Sequence, residues 1–285
     1  MFNLGDQKLT LLNGTTIKYR NLKVPCCAGC NSVHLSQLEN EVKRLLFDAP
    51  LSEARQNLEN IFLWASKILI AIVYAERLLP LRRRYPKGKR ILSPEYWNRF
   101  QMAHFFVQKL TIPMRFTYSG KERIPGSVFL FNLKCPKDQR QHFDFRDDVR
   151  SLSIFIRLGN RGVIAVVDGG AVDMVIGSLV RRDGRRKLHP LQFSELGAKV
   201  FYKSTLFQRV PKYVMVGTNK YLEVVQMPLS GLSGLPIFAD WDHSTYARFL
   251  AAFTNLPIEM IAPGDRSQVM PWMKDDDGKF LEIPL

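Results

Sequence analysis

The sequence predicts an α+β fold, with a helical N-terminal part followed by a mixed or antiparallel β-rich domain with flanking helices. Three observations carry that expectation. Apolar residues between Leu58 and Val73 recur at three- and four-residue steps, the periodicity of a helix with a broad apolar face. From about residue 112 the pattern changes to short β-prone runs bounded by Gly, Asn and Asp. Of the 285 residues, 46% are hydrophobic and 11% aromatic, enough to bury a real core.

In chain order, Lys8–Leu12 and Thr15–Tyr19 flank Asn13-Gly14, the strongest short hairpin signal. Ser36-Gln37-Leu38-Glu39 has the spacing of a capping box. It predicts a helix from Glu39 to about Phe47, ended by Pro50. A second helix is expected from Ser52, with Glu53 in its first turn, to about Leu79. A third starts at Ser93-Pro94 and carries Tyr96, Trp97, Phe100, Ala103, His104, Val107 and Leu110 inward.

Strands are expected at Met114–Tyr118, Ser127–Leu133, Ser151–Leu158, Val163–Val167 and Val172–Val180. A helix from Pro190 to about Phe207 comes next, then a hairpin pairing Lys212–Val216 with Tyr221–Val225, and a last helix from Ser244 to about Phe253. The expected organisation is residues 1–50 around a cysteine turn, 51–110 helical, and 111–285 the β-rich domain.

The formal net charge is +15. Such an excess favours a polyanionic partner, nucleic acid or an anionic surface. Two clusters concentrate it. Arg82, Arg83, Arg84, Lys87, Lys89 and Arg90 lie in a stretch broken by Pro86 and Gly88, with Tyr85 available for stacking. Arg181, Arg182, Arg185, Arg186 and Lys187 surround an Asp-Gly turn. Each cluster reads either as phosphate-contacting, through counterion release, or as a solvated basic loop.

His142, Asp144, Asp147 and Asp148 read as an exposed acidic turn in preference to a metal site, and Asp168-Gly169-Gly170 as a strand end. The segment Ile61–Ala75, interrupted by Ser66 and Lys67, is shorter than the ~20 residues of a membrane span. No membrane partner is expected. Met1–Asp6 has neither the basic region nor the apolar run of a signal peptide. Of the four cysteines, three sit in one turn, which is no disulfide framework and fits a reducing cytoplasm.

That turn is Asn21-Leu22-Lys23-Val24-Pro25-Cys26-Cys27-Ala28-Gly29-Cys30-Asn31. Cys27 and Cys30 have the Cys-x-x-Cys spacing that lets two thiolates reach one Zn²⁺. Gly29 suits a tight turn with positive φ. With Cys26 or His34 as a third ligand the zinc site stays incomplete; buried reduced thiols are the other reading.

Asn21, the Cys27–Cys30 knuckle, Asn31 and the helix after them resemble the second half of the HNH (ββα-metal) endonuclease motif, over roughly the first 50 residues. The resemblance implies two strands and a helix around one divalent cation, Mg²⁺ or similar. Asn21 would hold the general-base His, and Asn31 would be the closing metal ligand. It implies DNA as the nucleic-acid partner and phosphodiester hydrolysis as the chemistry. The family's leading Asp-His or Glu-His is not found between Met1 and Asn21, nor is the first Cys-x-x-Cys.

The chain as it stands is therefore expected to have little nuclease activity. Three readings stay open: an endonuclease whose active form carries a further N-terminal segment, a catalytically dead nucleic-acid-binding or regulatory relative, and an interaction protein.

Overall fold

The computed structural model describes residues 8–92, 94–138, 142–209, 211–229, 234–264, 269–275 and 277–285, and for 94–99 the backbone only. The Ser93 cap and the facing of Tyr96 and Trp97 lie outside that description.

The Asn-Gly hairpin forms. Strands β1 (Lys8–Thr10) and β2 (Thr16–Lys18) pair antiparallel with Leu9 opposite Ile17. Gly14 takes the left-handed φ of 75° that the turn needs.

Beyond β2 the strand expected to feed the cysteine turn does not form, and residues 22–27 have no regular structure. Tyr19–Asn21 is one 3₁₀ turn, and a helical run begins at Ala28. Cys30–Leu35 is π-helical, α1 (Ser36–Lys43) succeeds it, and Arg44–Asp48 is π-helical again. Ser36 therefore lies inside the run. Leu35 before it is already helical and no side-chain cap forms, so the expected capping box is not a helix start. Gly29 is right-handed helical at φ −61°, not left-handed.

The helix expected over 52–79 is two helices, α2 (Leu51–Gln56) and α3 (Leu58–Glu76). Asn57 separates them with a non-helical backbone, and its Nδ2 donates to Glu53 O at 2.9 Å. Helix α3 is buried almost all round, with Leu63, Trp64 and Ile70 added to the predicted face. By length and composition α3 is apolar enough to cross a membrane. In this fold it packs against α1 and α4 (Pro94–Val107) and over a β-sheet. His104, expected inward on α4, is exposed.

Strands β3 (Met114–Tyr118) and β4 (Lys121–Glu122) precede that sheet, which is four-stranded and antiparallel with order β5-β8-β7-β6. Its strands are β5 (Ser127–Asn132), β6 (Phe143–Asp148), β7 (Ser153–Leu158) and β8 (Arg161–Val166). Period-two alternation gives this sheet two buried faces. Val128, Leu130, Ile154, Ile156, Val163 and Ala165 join the core formed with the N-terminal helices. Phe129, Phe131, Phe155, Ile164 and Val166 join the opposite core. Burial on both sides is why β5, β7 and β8 read as apolar runs, whereas β6 is half-buried along its length. The expected boundary near 110 falls between α4 and β3, and the first core runs across it, from Leu9 to Val224.

The second face is covered by α5 (Ala171–Asp183), α6 (Pro190–Thr205) and α7 (His243–Thr254), with the short α8 (Ile258–Ile261) beside α7. Helix α5 corrects the strand expected over Val172–Val180. Its β-branched residues favour strand, but Ala171, Val172, Gly177 and Val180 are buried on a helical face, and tertiary packing overrides the propensity. Asp168, buried at the end of β8, starts the helix. Its carboxylate accepts from Gly170 N (2.8 Å), Val172 N (2.7 Å) and Ser127 Oγ (2.8 Å). Gly169 and Gly170 both have left-handed φ, 66° and 76°, as the sharp turn demands. Burial pushes Asp168 up to about 6, although those three donors draw it down.

Strands β9 (Tyr213–Gly217) and β10 (Leu222–Gln226) form the expected hairpin. They complete a second sheet of order β4-β3-β10-β9, in which β3 and β10 run parallel. Segment 142–148, expected as an acidic turn, is mostly strand β6, an outer strand of the first sheet.

Gly162 on β8 shows how closely the second core is packed. A Cβ there would meet the Phe193 ring at 2.5 Å. Gly162→Ala should cost ~1–3 kcal/mol by overpacking, read as a lowered thermal midpoint with unchanged far-ultraviolet circular dichroism. An unchanged midpoint would contradict this packing.

Candidate nucleic-acid interface

The first basic cluster is an arm. Its base is closed by a bridge between Pro80 and Arg90 and by Leu81 N donating to Lys89 O at 2.7 Å. Two turns form the tip, Tyr85 N to Arg82 O and Gly88 N to Tyr85 O, both 2.9 Å. Arg90 reaches back to Leu78 O at 2.7 Å, and Asn13 of the N-terminal hairpin donates to Pro80 O. Every residue from 81 to 90 is exposed, with Tyr85 61% exposed at the tip.

Among the described residues no carboxylate pairs with Arg82, Arg83, Arg84, Lys87 or Lys89. Five cations and an aromatic ring are thus held on a stapled loop with their charge uncompensated.

The second cluster is arranged differently. Arg181 and Arg182 belong to the last turn of α5, where a cation complements the helix dipole. Arg181 pairs with Asp173, Arg182 with Asp183 at 3.3 Å, and Arg186 with Glu282 at 3.5 Å. Arg186 also lies 4.8 Å from the Phe280 ring centroid. Arg185 and Lys187 are exposed and have no such partner among the described residues. Three of its five cations already have anions, so this cluster offers a polyanion less than the arm does.

The cysteine turn brings Cys27, Cys30 and Asn31 into one helical turn. Cys30 N donates to Cys27 Sγ at 3.2 Å, and Asn31 N to Cys27 O at 3.0 Å. Cys26, Cys27 and Asn31 are exposed, and Cys30 is half-buried. All four thiols are free. The hydrogen bonds from the Cys30 side pull the Cys27 thiol below its ordinary range, and the same thiol pair pushes Cys30 up. Cys27 should therefore outpace Cys30 in thiolate chemistry. Alkylation by iodoacetamide at pH 7 followed by peptide mapping should label Cys27 first; the reverse order would contradict the geometry.

Asn21 lies in the 3₁₀ turn after β2, exposed and outside the helical turn that groups the other three. Cys135 is elsewhere, 3.3 Å from His142 Nε2. Among the described residues, no three His, Cys, Asp or Glu side chains converge in a way that could hold a metal ion. Two thiols and one amide are a partial donor set: they do not fit a four-ligand zinc site, nor the oxygen- and nitrogen-rich sphere of Mg²⁺.

One polar feature escaped the sequence reading. Glu76, the last residue of α3, is buried, and its Oε1 accepts from Leu12 N at 2.9 Å. Its Oε2 has no partner among the described residues. Asp147 on β6 is held up at about 7 by burial, then by the charges of Glu76 and Asp148, and burial raises Glu76 as well. The available signal was a carboxylate in the last turn of an apolar helix, where the dipole disfavours it.

A carboxyl group raised on folding binds more protons when native, so the stability it contributes is lost as pH rises through its folded value. The contribution of Asp147 to the unfolding free energy should therefore fall between pH 4 and 8. Asp147→Asn should flatten that fall and exceed the parent at pH 8 by ~2 kcal/mol, a discounted figure because Asp147 is only partly enclosed. Urea titrations across the range give the test, and identical slopes in parent and variant would contradict it.

Compared with known proteins, the chain matches no family model, no curated protein and no solved structure. The HNH likeness therefore rests on the motif residues alone.

Proposed function

We propose that this chain is an HNH-related nucleic-acid-binding protein, with DNA as its partner, and that it binds through the basic arm at 81–90. The observation that carries the reading is the uncompensated charge of Arg82, Arg83, Arg84, Lys87 and Lys89 on a loop stapled at its base. A pre-formed arm loses little conformational freedom on binding, and each cation that neutralises a phosphate releases counterions. Tyr85 at the tip adds a stacking face for an unpaired base. The hairpin that carries the arm's bracing residue, Asn13, also leads through Asn21 to the cysteine turn, so arm and motif are tied to one structural unit.

Hydrolysis is not part of this reading. Activating a water needs a general base and a cation beside the phosphate, and Cys27, Cys30 and Asn31 supply neither step by themselves.

The test is gel retention of a short DNA duplex over a salt series. With five phosphate contacts the slope of log K against log salt should be about −4 to −5. Absence of retention at low salt, or a slope near zero, would overturn the proposal.

A further inference from the structure

Strand β9 is an outer strand of the second sheet, bonded on one side to β10. The ladder between them runs through even-numbered residues. Lys212 O accepts from Met227 N at 2.8 Å and Thr218 N donates to Tyr221 O at 3.0 Å, in the register that sets Val214 against Val225 and Val216 against Glu223. In an antiparallel pair, hydrogen-bonded and non-bonded positions alternate. Tyr213, Met215 and Gly217 therefore turn their N–H and C=O groups away from β10, to the outside of the sheet.

The side chains there are apolar and open. Val214, Met215 and Val216 are 48%, 48% and 46% exposed, and alternation puts them on both faces of the strand. Outer strands are ordinarily blunted by lysine, proline or a bulge. Tyr213–Gly217 has none of these. It is a short template of three outward donors and three outward acceptors with apolar flanks.

Charge decides between occupants. Lys212 and Lys220, one at each end of the strand, are exposed, and neither pairs with a carboxylate among the described residues. The acid on the neighbouring strand, Glu223, is engaged by Thr117 Oγ1 at 2.9 Å. A second copy fits poorly: two chains of net charge +15 repel, and three half-exposed side chains fall far short of the ~800 Å² per partner of a stable interface. An extended peptide gains affinity from main-chain hydrogen bonds instead, and acidic ends would complement the two lysines.

We infer that the β9 edge binds an extended segment of a partner protein, apolar at its centre and acidic at both ends, as a fifth strand of this sheet. The inference is independent of the arm and of nucleic acid.

The probe is a fluorescein-labelled synthetic peptide, Asp-Glu-Val-Ile-Val-Glu-Asp, followed by anisotropy. Saturable binding is expected, weakened about tenfold by Met215→Pro, which removes an outward N–H and leaves the even-numbered ladder intact. A thermal melt of that variant checks its fold. A second variant, Lys212→Glu with Lys220→Glu, keeps the strand and should weaken binding comparably. The same peptide with proline in place of its central isoleucine should not bind.

Failure of the peptide to bind, or equal binding by the parent and both variants, would overturn the inference. So would concentration-dependent dimerisation abolished by Met215→Pro, which would give the edge to a second copy.

Discussion

Replacing Arg82, Arg83 and Arg84 together by alanine is expected to lower the salt slope of DNA binding by about 2.7, the share of three phosphate contacts. Affinity at low salt should fall by roughly 10²-fold, taking about 1 kcal/mol for each exposed charge contact. The arm should otherwise stay folded, because its base is closed by backbone bonds and by Arg90, none of which the substitutions touch. The informative comparison is Arg181, Arg182 and Arg186 changed together. Each already pairs with a carboxylate, Asp173, Asp183 or Glu282. A phosphate would have to displace those anions, so the second triple variant should change the slope little. Equal losses from the two triples would show that net charge, not the arm, attracts the polyanion.

Phe193→Ala is expected to be the most damaging single change in the core. The ring is fully buried, stacks on Phe155 at a centroid distance of 4.2 Å and lies 5.5 Å from Phe131. Its edge fills the space that Gly162 leaves open. Truncation would remove the contact between α6 and strands β5, β7 and β8 at one point, leaving a cavity that four elements cannot close together. A loss of ~3–5 kcal/mol is expected from transfer and cavity costs, and chemical denaturation measures it. A loss below 1 kcal/mol would mean that the second core is packed differently.

The α+β class, the Asn13-Gly14 hairpin, α6, α7 and the β9–β10 hairpin were legible in the sequence because each is specified locally, by a turn dipeptide, a proline at a helix start or an uninterrupted period. The misreadings have distant causes. Val172–Val180 is helical because Asp168 and two left-handed glycines launch it from β8, an arrangement in which Ser127, forty-one residues away, completes the cap. Phe143–Asp148 looked like an acidic turn because its acids are accommodated only by distant or folded neighbours: Asp144 pairs with Arg146 at 3.6 Å, Asp148 accepts from Ser151 at 2.7 Å, and burial holds Asp147 up at about 7. Ser36 failed as a cap because the helix before it had already begun at the cysteine turn.

Of the candidate site, the positions of the cations were legible and their pairing was not. Both clusters look alike as strings of Arg and Lys. Only the fold shows that Glu282, near the C-terminal end, reaches Arg186, while no described carboxylate pairs with Arg82, Arg83, Arg84, Lys87 or Lys89. The cysteine spacing was read directly; the fold sets Cys27, Cys30 and Asn31 in one helical turn and leaves Asn21 outside it.

The measurement that bears most directly on the arm is lysine acetylation with and without a bound DNA duplex, read by peptide mass spectrometry. DNA is expected to protect Lys87 and Lys89 while Lys187, Lys212 and Lys220 label at unchanged rates. Unchanged labelling of Lys87 and Lys89 under conditions where DNA is retained would contradict binding through the arm.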